Sequence, residues 1–310
     1  MKNLLIILLV AFASFTACKK KGCTNPLASN YNESATKDDG SCNEVIDLSE
    51  PISVPSLIIK LHFDSLAPRL NNFGNPATIP AGNSTQSPRF HGMSAHYIEL
   101  AQSPTTQLGA GDIIYKGAET TAGGSNAVDF DQAITRGDNE IFVEIPLSEL
   151  TADTYNWIRV SLTYQNFDIN YRASGFDLTG RLASFVGFNN FITSHTVETQ
   201  SVSLNANKLQ GYWAFETLGQ ISEGDAPGIT VPNPLSATSP IPAGSCVVTG
   251  DFDVPFTFTG NETEDIILTL NLSTNQSFEW TDANQNGIYE PLDGDVVVDM
   301  GLRGIDPVIQ

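Results

Sequence analysis

The chain has 310 residues, 41% of them hydrophobic and 16% charged, which is enough to bury one large core or two modest ones. Its 35 Asp and Glu against 15 Lys and Arg give a formal net charge of −20. That balance works against nucleic acid or an anionic membrane leaflet as a partner, since both need basic surface, and it favours solubility and divalent cations. The imbalance deepens along the chain, because after Lys208 the only basic residue is Arg303, against 15 acidic ones.

At the start, Lys2 precedes an apolar run from Leu4 to Phe15, followed by Thr16, Ala17 and Cys18. The run is shorter than the ~20 apolar residues of a permanent membrane helix, so residues 1–17 are expected to be a cleavable export signal. A Cys directly after small residues resembles the lipobox of bacterial lipoproteins, although Phe15 is larger than the residue usual three before the Cys. The resemblance implies that Cys18 is lipidated, becomes the first mature residue and anchors the protein to the outer membrane of a cell envelope. The alternative is an ordinary signal peptide that ends near a Cys. Removal of Lys2 would take the formal charge from −20 to −21. The Lys19-Lys20-Lys21-Gly22 tether leaves open which side of the membrane the protein faces.

Cys23 and Cys42 bracket a short polar segment, and an exported chain meets an oxidising compartment, so the two are expected to pair. Closing that loop would remove ~3 kcal/mol of denatured-state entropy. The segment, CTNPLASNYNESATKDDGSC, resembles a Cys-flanked module of exported Bacteroidetes proteins, a resemblance that carries no activity with it. Physically it is either a rigid spacer held by the bridge and Asx turns, or a calcium loop using Asn25, Asn30, Asn32, Asp38 and Asp39. Residues 18–50 thus form a lipidated tether with its disulfide-closed module. Cys246 is left alone and reads as a buried small residue.

Residues 51–310 read as one β-sandwich domain. Leu57, Ile59, Leu61 and Phe63 alternate with Ile58, Lys60, His62 and Asp64. The same period of two recurs in Asn156–Tyr164, Asp251–Thr259 and Asp265–Leu272, and marks strands with one buried and one wetter face. Further strands are expected at Ser94–Leu100, Asp112–Lys116, Glu140–Leu147, Ser201–Leu204, Tyr212–Glu216 and Val296–Met300. Clusters of Gly, Pro, Asn and Ser separate them. Only Leu178–Phe191 hints at a helix, through Leu178, Leu182, Phe185 and Phe188. The expected fold is an all-β, antiparallel β-sandwich, jelly-roll or Ig-like, with long loops. The Pro- and Ser-rich stretch 226–244 is a long loop or a domain linker, and the loop reading is preferred.

Two stretches have metal chemistry. His91, Met93 and His96, with His62 as a third imidazole, offer a soft donor set for copper, while His96 and Met93 equally fit a core histidine and core filling. Leu57–Asp64, Met93–Leu100 and Leu150–Tyr164 follow in an order that resembles the MbnP-like family of exported β-sandwich proteins, over about residues 55–175. That family includes copper-binding periplasmic proteins, so the resemblance implies a copper-binding role, but no ligand of the family aligns onto a particular residue here.

The second stretch runs from Asp282 to Asp293 and fits the D-x-[DN]-x-[DN]-G loop of calcium sites. Asp282, Asn284 and Asn286 would give side-chain oxygens, Ile288 its carbonyl, and Asp293 the closing carboxylate, with Glu290 and Asp295 as alternatives. Strands rather than helices flank the loop. The competing reading is a hairpin turning at Asn286-Gly287.

No G-x-S-x-G, H-E-x-x-H, Walker loop or G-x-G-x-x-G is present, so an enzyme is not expected. Trp157, Trp213 and Trp280 would either pack between sheets or platform a sugar. The expectation is a non-enzymatic, lipid-anchored envelope module, metal-binding or structural and calcium-stabilised. Copper binding and carbohydrate binding are the alternatives, and the protein or glycan partner is left open.

Overall fold

The computed structural model describes residues 19–26, 28, 30–43, 54–71, 74–226, 239–302 and 304–310. The expected signal peptide, Cys18 with its expected lipidation, and most of the stretch 226–244 lie outside the described residues. The chain divides into two compact units, Met1–Ser53 and Val54–Gln310. No helix among the described residues is long and apolar enough to cross a membrane.

In the first unit Cys23 and Cys42 are bridged, with Cα atoms 4.7 Å apart. Its polar side chains turn onto their own backbone. Asn32 Oδ1 accepts the Ser34 N–H at 3.1 Å, Asp38 Oδ1 the Gly40 N–H at 2.8 Å and Asp39 Oδ1 the Ser41 N–H at 3.1 Å. Asn30 Oδ1 reaches across the module to the Asn43 N–H at 2.9 Å. With little apolar side chain to bury, the module holds its shape through Asx turns and the bridge.

Among the described residues of the second unit, the regular structure is strand apart from two single 3-10 turns. In chain order the strands are β1 (Ser56–Asp64), β2 (Asn83–Gln86), β3 (Arg89–Ala101), β4 (Asp112–Lys116), β5 (Glu119–Thr120) and β6 (Ala127–Asp129). There follow β7 (Ile141–Pro146), β8 (Asp153–Ala173), β9 (Phe176–Phe185), β10 (Asn189–Thr196), β11 (Ser201–Leu209) and β12 (Tyr212–Thr217). The last are β13 (Gln220–Asp225), β14 (Cys246–Phe258), β15 (Ile266–Ser273), β16 (Phe278–Thr281), β17 (Val296–Met300) and β18 (Ile305–Ile309).

Seven strands form a curled sheet in the order β13-β12-β9-β8-β3-β4, with β14 also on β8. Three smaller sheets, β18-β15-β1-β7, β17-β16-β2 and β11-β10-β6-β5, complete the fold. Pairing is antiparallel except for β1 with β15 and β6 with β10. Strand β8 is 21 residues long and serves two partners on one edge. Its first half, Asp153–Leu162, pairs with β14, and its second half, Tyr164–Ala173, with β9. At the changeover the Val186 and Gly187 N–H groups both reach the Thr163 carbonyl, at 2.9 and 3.0 Å. Along the other edge β3 pairs with Trp157–Asp168 through three register shifts, each adding local twist and so curling the sheet.

The alternating residues of β1 meet the large sheet in the main core. Leu57, Ile59 and Leu61 cluster with Ile98, Leu100, Ile158, Val160 and Leu162, and with Leu268, Leu270 and Leu272 of β15. A second core, around Tyr164, Phe185, Ile192 and Tyr212, lies on the alternate residues of β8, β9 and β12. The helix hint at Leu178–Phe191 is corrected here, because β9 and β10 occupy that stretch. Leu182 belongs to one core and Ala183 and Phe185 to the other, and a strand buried on both faces loses its period of two.

Glu216 of β12 ties these layers together. Its carboxylate accepts the N–H groups of Glu198, Thr199 and Gln200 at 2.8–3.0 Å and the Thr199 hydroxyl at 2.5 Å, so it holds the β10–β11 turn. Burial would raise this carboxyl, but the Thr199 hydroxyl and the three amides outweigh it and hold it at about 2. Because the folded value lies below the ordinary 4.5, this stabilisation is complete above pH 4.5 and is lost as pH falls towards 2. Glu216→Gln is therefore expected to cost about 1–3 kcal/mol in urea unfolding at pH 7. The difference from the unsubstituted protein should narrow below pH 4.5, and a deficit that stays constant down to pH 2 would refute this account.

Candidate functional site

The Asp282–Asp295 segment joins β16 to β17, whose register puts Thr281 opposite Val296 and Trp280 opposite Val297. The turn is thus a long wound loop and not a two-residue hairpin at Asn286-Gly287. Gln285 and Gly287 take positive φ of 57° and 76°, and these left-handed positions let the chain wind around its own side chains. Asp282 sits at the centre. It accepts the Gly287 N–H at 2.7 Å, the Asn286 N–H at 3.2 Å and the Ser84 hydroxyl of β2 at 2.8 Å.

Two amides converge on one carboxylate oxygen. Asn284 Nδ2 and Asn286 Nδ2 lie 2.8 and 2.6 Å from Glu290 Oε2, while the Asn286 Oδ1 atom accepts the Ile288 N–H at 2.7 Å. Asp295, not Asp293, is turned inward, accepting the Ala283 N–H at 2.9 Å and the Glu290 N–H at 2.7 Å. Asp293 is exposed. Burial would raise the Asp282 carboxyl, but hydrogen bonds from Gly287, Ser84 and the neighbouring amides outweigh it and lower the value. The amides of Asn284 and Asn286 lower that of Glu290. Both carboxyls are therefore ionised at neutral pH although nearly buried. Arg172 Nη1 stands 3.9 Å from Glu290, and the same guanidinium serves Asp177, whose Oδ1 accepts Arg172 Nε–H at 2.7 Å. Asp282, Asn284, Asn286 and Glu290 were all legible in the sequence. Ser84 and Arg172 carried no local signal, since only the register of β2 against β16 and of β8 beside the loop brings them in.

The loop also forms walls of two clefts. A mixed one is lined by Asn170, Asp177, Thr179, Ile288, Trp280 and Tyr289 among others, and a more strongly apolar one by Trp213, Phe215, Phe278 and Tyr289 among others. Tyr289 is common to both, and burial, with Asp295 next, pushes its hydroxyl up to about 12. Of the three tryptophans, Trp280 is buried in the core and Trp157 and Trp213 are half-buried, Trp213 on the apolar cleft.

The four residues with copper chemistry are engaged separately. His62 Nδ1 pairs with Asp138 at 2.9 Å, His91 Nε2 with Asp168 at 2.7 Å and His96 Nε2 with Glu119 at 2.9 Å. Met93 is wholly buried in the main core. Among the described residues no group of three or more His, Cys, Asp and Glu is placed to hold a metal ion, the acidic loop included. Cys246 is the free thiol of the described residues, and burial pushes it up to about 12, so it stays protonated and weakly nucleophilic.

His96 stacks on Phe188 at 5.3 Å, and burial pushes its imidazole down to about 4 against the opposing pull of Glu119. Burial does the same to His195, also to about 4. Both rings are neutral in the folded protein where the unfolded chain is already protonated, so stability should fall as pH drops from 6.5 towards 4. Thermal melts of His96→Gln/His195→Gln are expected to show a flatter pH dependence across that window. An unchanged slope would remove these two rings from the account.

No protein-family model, no curated protein and no solved structure matches this chain.

Proposed function

We propose that this is a non-enzymatic, lipid-anchored protein of the cell envelope, acting as a metal-ion-binding or structural binding module that calcium stabilises. The observation that carries the calcium reading is the convergence of Asp282, Asn284, Asn286 and Glu290 in one wound loop, with two ionised carboxylates nearly buried there. Carboxylate and amide oxygens are the donors calcium takes. An Asx-turn oxygen has a second lone pair, so Asn284 and Asn286 can turn the chain and still ligate. Asp282, Asn284, Asn286 and Glu290 would hold the ion, with Asp295 or Asp293 completing the set. A cation there would offset the repulsion among these carboxylates and close the β16–β17 hairpin over Phe278 and Trp280 of the main core. The lipid anchor rests on Cys18 and the apolar run before it.

Calcium at about 100 times its dissociation constant would add ~2.7 kcal/mol of stability. For a domain of this size that is a rise of about 5 °C or more in Tm, reversed by a chelator and abolished in Asp282→Ala. A Tm indifferent to calcium and to chelator would dispose of the calcium reading. For the anchor, Cys18→Ser should move the exported protein from the membrane to the soluble envelope fraction. An unsubstituted protein that is itself soluble would refute it.

A further inference from the structure

The large sheet carries a cavity of about 350 Å³ where it faces β16 and β17, a size that accommodates small molecules. Leu182 and Phe278 are buried at its base, and Trp213, Phe215 and Tyr289 are half-buried in its walls. Ser222 of the edge strand β13 lies exposed at its mouth. Two glycines keep it open. A Cβ on Gly180 would come 2.2 Å from Cζ of Phe215, and one on Gly224 would come 2.6 Å from Cζ2 of Trp213. Both rings therefore lie across the sheet over a glycine, where side chains on a strand ordinarily stand away from it. The space those rings would otherwise fill is the cavity.

None of the described residues that line it is charged. There is no Lys, Arg or His to receive an anion, the protein carries a formal charge of −20, and no carboxylate lines the space to receive a cation. What remains is apolar area and flat π-faces, which favour offset or edge-to-face contact with another ring. We propose that this cavity is a binding site for an uncharged aromatic small molecule, seated among Trp213, Phe215 and Tyr289. The site uses no atom of the metal-binding set and stands whether or not calcium binds.

Calorimetric titration of the full chain with naphthalenemethanol, a neutral probe, and with naphthalenesulfonate, its anionic counterpart, tests the assignment. One-to-one binding of the neutral probe is expected, with at least tenfold weaker binding of the sulfonate. Ser222→Trp and, as a second mouth variant, Val296→Trp place an indole over the opening at exposed positions. Each is expected to weaken the neutral probe at least tenfold while the thermal melt shows the fold intact. Failure of the neutral probe to bind, equal affinity for the sulfonate, or undiminished binding in whichever mouth variant folds would each overturn the proposal.

Discussion

Strand β8 has to satisfy its backbone hydrogen bonds over 21 residues while burying side chains on both faces, and the second unit is arranged around that demand. A strand so long cannot be covered on one edge by a single short neighbour. Here β14 and β9 divide that edge, and Thr163 marks the division. The two faces then need two cores. Ile158, Val160, Leu162, Phe167 and Ile169 serve one, and Tyr164 serves the other. The polar residues between them need partners inside the protein. Gln165 Oε1 accepts the Leu302 N–H at 3.0 Å, and Asn166 donates to the Tyr164 hydroxyl and the Val197 carbonyl at 2.9 Å each. Those bonds fix how the small sheets and the C-terminal segment lie on the large one.

What could be read in advance follows from how many faces a strand buries. Strands β1 and β15 bury one, so Leu57, Ile59, Leu61 and their partners announced themselves by alternation. Strand β9 buries two, and the run through Leu182, Ala183 and Phe185 offered no period to read. β8 showed its first half and hid its second, because Gln165 and Asn166 look like a polar break unless their buried partners are known. The acidic loop was legible, since its ligand spacing is local to the chain. The substitution of Asp295 for Asp293 as its inward residue depends on the β16–β17 register, which composition does not contain. The aromatic cavity was invisible for the same reason, as Gly180 and Gly224 gain their meaning only from the rings that lie over them.

Charge is distributed by the same logic of burial. Basic residues are scarce, and three arginines are used in or near the interior, Arg69 on Glu279, Arg159 on Glu99 and Arg181 on Asp168. Arg159 and Glu99 are both buried and 3.4 Å apart, and Gly111 gives Glu99 a further N–H at 2.7 Å. A buried ion pair of this kind adds little net stability, though breaking it by removing one partner is costly. Other buried carboxylates are met by N–H and O–H donors instead, as Glu216 and Asp282 are. Each of these arginines takes a carboxylate inward with it, so the outer surface keeps an acidic excess. The surface therefore favours cations, and in the acidic loop Asp282, Glu290 and Asp295 are held by N–H and O–H donors.

The loop contributes Tyr289 and Pro291 to the lining of the aromatic cavity. The Tyr289 ring packs on Phe278 at 5.2 Å and on Trp280 at 5.5 Å, so its place is set by the core on one side. Its backbone carbonyl accepts the Arg172 N–H at 2.7 Å, which ties the loop to the end of β8. Glu290, the next residue, holds the two amides of the loop. Any rearrangement of those amides, by a cation or by substitution, must therefore act on the residue beside Tyr289, whose ring is a wall of the cavity. The two features thus share one frame of β16, β17 and the end of β8 while drawing on different atoms.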